Sequence, residues 1–128
     1  MKLFALTLAA VIGFAGAAAA DELEGRWATP VDDNGNRGLV EVAPCGGALC
    51  GTLIAAFDTS GAQMDSPNIG RQIIFDTMPQ GGGEYRGQVY SPDRDKTYNS
   101  RLQLNGDTLS VSGCVLGICR DGGTWTRN

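Results

Sequence analysis

Histidine is absent from all 128 residues. Its absence removes the usual general base at neutral pH and the commonest metal ligand together. Lysine is scarce, at Lys2 and Lys96 alone, and the arginines are not clustered in a chain of net charge −4. An acidic chain without a basic stripe offers no electrostatic footprint to a polynucleotide. Beyond residue 20 no apolar run approaches the roughly 20 residues that cross a bilayer. No helix-period pattern of useful length appears there either.

What hydrophobic excess the chain has sits at its start. Met1-Lys2 is followed by an almost unbroken apolar run from Leu3 to Ala20, ending in small residues and then in Asp21-Glu22. That is the pattern of a secretory signal cleaved before Asp21. The competing reading is an N-terminal membrane anchor, since the run is nearly long enough to span. No cysteine lies near the cut, which argues against a lipid-modified N-terminus. Residues 1–20 are therefore expected to leave as a signal peptide and residues 21–128 to form one soluble domain in the periplasm or outside the cell. Removal of Lys2 makes the balance more acidic by one charge.

Turn residues recur every eight to twelve positions, and the short segments between them are rich in β-branched and aromatic residues, a rhythm that predicts an all-β fold. Strands are expected at 23–29, 38–43, 51–57, 73–78, 84–90, 96–104, 108–114 and 119–127. Asn105-Gly106, between Leu102-x-Leu104 and Leu109-x-Val111, is the strongest hairpin signal. Eight hairpin-linked strands can close into a small antiparallel up-and-down β-barrel, which abolishes exposed edges. An oligonucleotide-type barrel and a sandwich are the alternatives. Such a barrel has about 24 inward positions, and the chain after residue 20 carries 28 large apolar residues. A packed or nearly packed interior follows, with at most a small cleft at one mouth.

The cysteines fall as Cys45-x4-Cys50 and Cys114-x4-Cys119. Four cysteines allow three connectivities. Local pairing, Cys45 with Cys50 and Cys114 with Cys119, is the economical one, because opposed hairpin positions lie within disulfide reach. A secretory route and an even count favour structural disulfides over zinc.

Several constellations point towards chemistry. Asp32, Asn34 and Asn36 begin like a calcium loop, but Arg37 and Ala43 stand where glycine and glutamate are needed. The serines and threonines lack a histidine partner. Glu41, Asp76 and Glu84 are strand-borne carboxylates from which a hydrolytic pair would have to come. Arg71, Arg86 and Arg101, interleaved with Tyr85, Tyr90 and Tyr98, read either as surface residues or as the lining of a barrel mouth that pairs with an anion. The stretch 58–70 is the longest without a strand pattern, and its Met64 and Ile69 would either cover a mouth or anchor the loop.

Gly25-Arg26-Trp27 near the start and Arg127 near the end resemble the structural signature of lipocalin-like barrels, in which the arginine lies over the tryptophan and closes one end. More widely, Leu23-Glu-Gly-Arg-Trp27, the run Val40 to Gly51, Tyr90-Ser-Pro followed by Lys96-Thr-Tyr98, and Val111 to Cys119 ending in Thr124-Trp-Thr-Arg127 resemble the secreted bacterial family known as domain of unknown function 2147. The resemblance covers the whole chain after the leader. It implies a lipocalin-like barrel in the Gram-negative envelope and no particular reaction.

The resulting expectation is a non-catalytic barrel with no cofactor and no metal, binding a small molecule at a mouth or an envelope protein through its loops. Candidate ligand residues are Arg71, Arg86, Tyr90, Tyr98 and Arg101, with Trp27 and Arg127 closing the barrel. The rivals are an envelope structural protein with a filled interior and a carboxylate hydrolase.

Overall fold

Glycine-rich and Asx turns cut the chain into strands, and apart from one short spur each pairs with the next. The computed structural model describes residues 20–128, so the expected signal peptide lies outside the described residues but for Ala20. The strands are β1 (Gly25–Ala28), β2 (Arg37–Cys45), β3 (Ala48–Phe57), β4 (Gln63–Met64), β5 (Gln72–Gly81), β6 (Glu84–Ser91), β7 (Lys96–Asn105), β8 (Thr108–Val115) and β9 (Ile118–Arg127). No helix occurs among the described residues. All pairings are antiparallel, and β9 returns to β1 through Trp27 opposite Arg127 and Ala28 opposite Thr126. With β2 also paired to β3, eight strands close on themselves, and β4 is a two-residue spur on β3.

Each of the eight strands expected from turn spacing is present, with ends shifted by a few residues at most. β4 was not foreseen, because two residues are too short to carry a period. Along β7, Ser100 and Leu102 are buried while Asn99, Arg101 and Gln103 are exposed, the period-2 alternation of a wall with one wet face. The outer wall is polar, with Arg26, Glu41, Arg86, Gln88, Arg101 and Gln103 exposed, unlike the apolar band of a barrel that spans a membrane.

The up-and-down path sorts the connections. Segments 29–36, 58–71, 92–95 and 116–117 gather at one end of the barrel, while the turns at 46–47, 82–83 and 106–107 lie at the other with residue 128 and the segment 21–24. Both disulfides are local: Cys45–Cys50 locks the β2–β3 hairpin at the second end, and Cys114–Cys119 the β8–β9 hairpin at the first.

The second end is shut. Asp21 folds the chain into a turn, its carboxylate accepting from the Leu23 amide at 2.8 Å while its own amide donates to Glu24 at 2.8 Å. Leu23 and Trp27 are thereby fully buried, and the indole N–H donates to the Leu23 carbonyl at 2.9 Å. The Arg127 guanidinium lies 4.2 Å over the Trp27 ring and donates to the carbonyls of Glu22 and Glu24 at 2.8 and 3.2 Å. Tyr85 donates to Asp21 at 2.5 Å, and burial, with that hydrogen bond, pushes its phenol well above the ordinary value.

Candidate functional site

The first end opens on a cavity of about 880 Å³. Its wall is apolar and comes from six of the strands: Val40 on β2, Leu53 and Ala56 on β3, Ile73 on β5, Val89 on β6, Val111 on β8 and Trp125 on β9. Tyr90 and Tyr98 add polar-tipped aromatic rings.

The expectation of a packed interior is therefore corrected. Two features leave the space. Val31, Ile69, Met78, Val115, Leu116 and Ile118 are exposed, so six large apolar side chains counted towards the core do not fill it, and Val31, Val115, Leu116 and Ile118 border the mouth instead. Glycine also stands in the wall: Gly113 lines the cavity, and a Cβ there would sit 3.3 Å from the Tyr98 ring. The bulk that remains is concentrated towards the shut end, in Leu23, Trp27, Tyr85, Leu102 and Leu109.

The mouth carries charge of both signs. Arg37, Arg94 and Arg120 line it together with Asp32, Asp33, Asp93 and Asp121. Among the described residues these arginines form no ion pair, whereas Arg26, Arg71, Arg86, Arg101 and Arg127 do. Two of the acids serve their own turns. Asp32 accepts from the amides of Asn34 and Asn36 at 2.8 and 2.9 Å, and Asp121 from that of Gly123 at 2.9 Å. The Asp32–Asn36 segment is thus an Asx turn rather than a cation loop.

Of the five arginines and tyrosines selected from sequence, Tyr90 and Tyr98 line the cavity. Arg71 joins Tyr90, with its guanidinium 4.2 Å over the ring and 4.0 Å from Asp95. The Tyr90 hydroxyl donates to Asp95 at 2.7 Å, and this bond and burial raise its pKa against the opposing charge of Arg71. Arg86 and Arg101 stand elsewhere. They face each other across β6 and β7 on the outer wall, 2.6 and 3.9 Å from Glu84, whose carboxyl Arg86 holds below the ordinary range. Alternation explains this placement, since Tyr85 and Leu102 point inwards and their neighbours must point out.

Arg37, Arg94, Arg120 and Trp125 escaped the sequence reading. A pattern of arginine interleaved with tyrosine selected the wall, whereas the mouth is built by turns. The turn location of Asp93-Arg94 and the strand-end position of Arg37 were the available signals.

Segment 58–71 is a structured part of the mouth. The Asp58 carboxylate accepts from the Ser60 hydroxyl at 2.6 Å and from the amides of Ser60 and Ala62, which lowers its pKa, the Ser60 hydroxyl foremost. Gly70 donates to the Leu53 carbonyl at 2.7 Å and Leu53 to the Arg71 carbonyl at 2.9 Å. Met64, Ser66 and Asn68 line the cavity, while Ile69 is exposed. The carboxylates considered for hydrolysis do not converge: Glu41 pairs with Arg26, Glu84 with Arg86, and Asp76 is exposed at a positive φ of 46°. None of the three lines the cavity.

A closed eight-stranded antiparallel meander, shut at one end and open at the other, defines a lipocalin-like barrel. A solved structure of the same architecture is protein HP1028 from the human pathogen Helicobacter pylori, described as belonging to the lipocalin family. It superposes with a TM-score of 0.65 at 21% identity, covering 84% of this chain and 83% of that one. The chain belongs to the bacterial family described as "Uncharacterized protein conserved in bacteria (DUF2147)", whose model matches residues 25–127. No curated protein matches.

Proposed function

We propose that this protein is a non-catalytic binding barrel of the bacterial envelope that holds one small, largely apolar molecule in its lumen. The observation that carries this reading is the cavity of about 880 Å³, walled by Val40, Leu53, Ile73, Val89, Val111 and Trp125 and reached through a polar mouth. Ligand pockets have that size and that division between apolar walls and a few placed polar groups. A structural protein with a filled interior is disfavoured by the same space. The carboxylates from which a hydrolytic pair would come, Glu41, Asp76 and Glu84, lie apart, and of the aspartates at the mouth Asp32 and Asp121 accept from the amides of their own turns.

The apolar leader and the two local disulfides support a periplasmic or secreted location, where disulfides form and persist. The polar tips available to orient a ligand are the hydroxyls of Tyr90 and Tyr98 and the guanidinium groups of Arg37, Arg94 and Arg120.

Native mass spectrometry of protein isolated from its own envelope tests the reading, with a co-purifying small molecule as the expected result. Val111→Phe, which adds bulk to the cavity wall, should then weaken binding of the neutral dye N-phenylnaphthylamine while leaving the fold intact. A dye titration identical for both proteins would remove the lumen as the binding site.

A further inference from the structure

Of the six apolar side chains missing from the interior, Met78 stands on the β5 wall and the other five gather in one place. Val115, Leu116 and Ile118 are 55%, 96% and 67% exposed, and Val31 and Ile69 are exposed as well. All five stand at the open end, on three different connections around the mouth. Leu116 and Gly117 form the two-residue tip of the β8–β9 hairpin with φ of 52° and 81°. Positive φ at both positions is the turn that ordinarily selects Asn-Gly, and a leucine there is conformationally unfavourable. The Cys114–Cys119 disulfide immediately behind braces the tip.

We propose that this end of the barrel docks on a phospholipid bilayer, with the 115–118 tip inserted among the acyl chains, so that an apolar ligand passes between membrane and lumen without crossing water. The inference deepens the binding reading and rests on it for the purpose of the docking. A bilayer is the occupant favoured by the shape of the surface. The apolar groups project from separate loops around an open cavity, and a fluid leaflet conforms to such a ring where a folded partner would need a matching plug. Three arginines and four aspartates line the mouth, and Asp58, Asp65 and Asp95 beside Arg71 and Lys96 at the same end leave it slightly acidic, with nothing to attract anionic lipid. Neutral, zwitterionic headgroups suit that rim, and attachment comes from apolar insertion rather than from attraction to anionic lipid. The polar outer wall confines contact to the mouth.

Flotation with phosphatidylcholine vesicles, alone and with added phosphatidylglycerol, tests this for residues 21–128. The protein should float with both, and added salt should not release it. Leu116→Asn places the preferred residue in the turn, so the variant should fold at least as well, and its vesicle partitioning should fall about tenfold or more, as expected for withdrawing one leucine from an apolar phase. Transfer of N-phenylnaphthylamine from vesicles should speed up with vesicle concentration for the parent protein and not for the variant, each rate being read against that protein's own dye affinity in solution, because Leu116 borders the cavity. A parent that stays in the soluble fraction, a variant that floats equally, or a parent released by salt would each overturn the docking. A concentration-dependent dimer lost in Leu116→Asn would overturn it in favour of a second copy. Absence of dye binding in solution, with flotation intact, would instead overturn the binding reading.

Discussion

The two ends of the barrel are built from the same parts. Each has a hairpin locked by a disulfide, an arginine 4.2 Å over an aromatic ring, and a tyrosine hydroxyl donating to an aspartate. One end is nevertheless shut and the other opens on a cavity. What differs is the chain these parts hold. Arg127 and Tyr85 both grip the segment 21–24, which carries Leu23 inwards beside Trp27. Arg71 and Asp95 grip Tyr90, and so tie the segment entering β5 to the β6–β7 turn along the wall. Closure therefore comes from a piece of chain laid across the bore, not from the stacking or the hydrogen bond as such.

The contrast breaks most sharply at the tryptophans. Trp27→Ala should lower unfolding free energy by about 3–5 kcal/mol, the usual cost of removing a fully packed aromatic. Trp125→Ala should cost less in urea melts, because part of that ring borders open space. It should disturb dye binding instead. Equal losses would mean that both ends are packed alike.

The disulfides sharpen the contrast at an intermediate scale. Serine at Cys45 and Cys50, or at Cys114 and Cys119, should each lower stability by about 2 kcal/mol, as a loop of this length implies. Only the second pair should alter dye affinity, since only its hairpin lines the mouth. Arginine comes next. Arg127→Met should cost about 1–2 kcal/mol through lost cation–π contact and two freed carbonyls. Arg71→Met, at a more exposed stack, should fall below that in the same melts.

The smallest effect is alkaline. With the Tyr85 phenol raised above its ordinary value of 10.0, the unfolded chain loses that proton first. The Tyr85 contribution is complete below pH about 10 and is lost as pH rises through the folded value. Tyr85→Phe should flatten the fall of melting temperature above pH 10, and Tyr90→Phe should flatten it less.

Much of the barrel was legible because its signals are local. Asn105-Gly106 marks its hairpin, although the turn itself is Gly106-Asp107 with Asn105 paired to Thr108, and each cysteine pair brackets a turn. The cavity was not legible, because volume depends on where side chains go rather than how many there are. Val115, Leu116 and Ile118 read as core by composition and stand outside. Bulges between Leu39 and Val40, around Gly51, between Phe75 and Met78 and between Ser110 and Ser112 shift the register of the wall. A one-residue slip turns a side chain to the other face, and no short-range pattern announces it. The rim arginines were lost for a related reason, since they sit where strands end and alternation no longer applies.

The seam between β1 and β9 sets the order of assembly. Trp27 pairs with Arg127, and the hydrogen bonds from Arg127 to Glu24 and Glu22 span 103 and 105 positions along the chain. The residue that caps the base stands at the end of β9, after every other strand in chain order. The eight barrel strands can make seven pairings with sequence neighbours as they emerge, but the ring stays open until the end of β9 arrives. Contacts this distant form late and slowly, so a chain stopped before Arg127 would keep every hairpin and lose its latch.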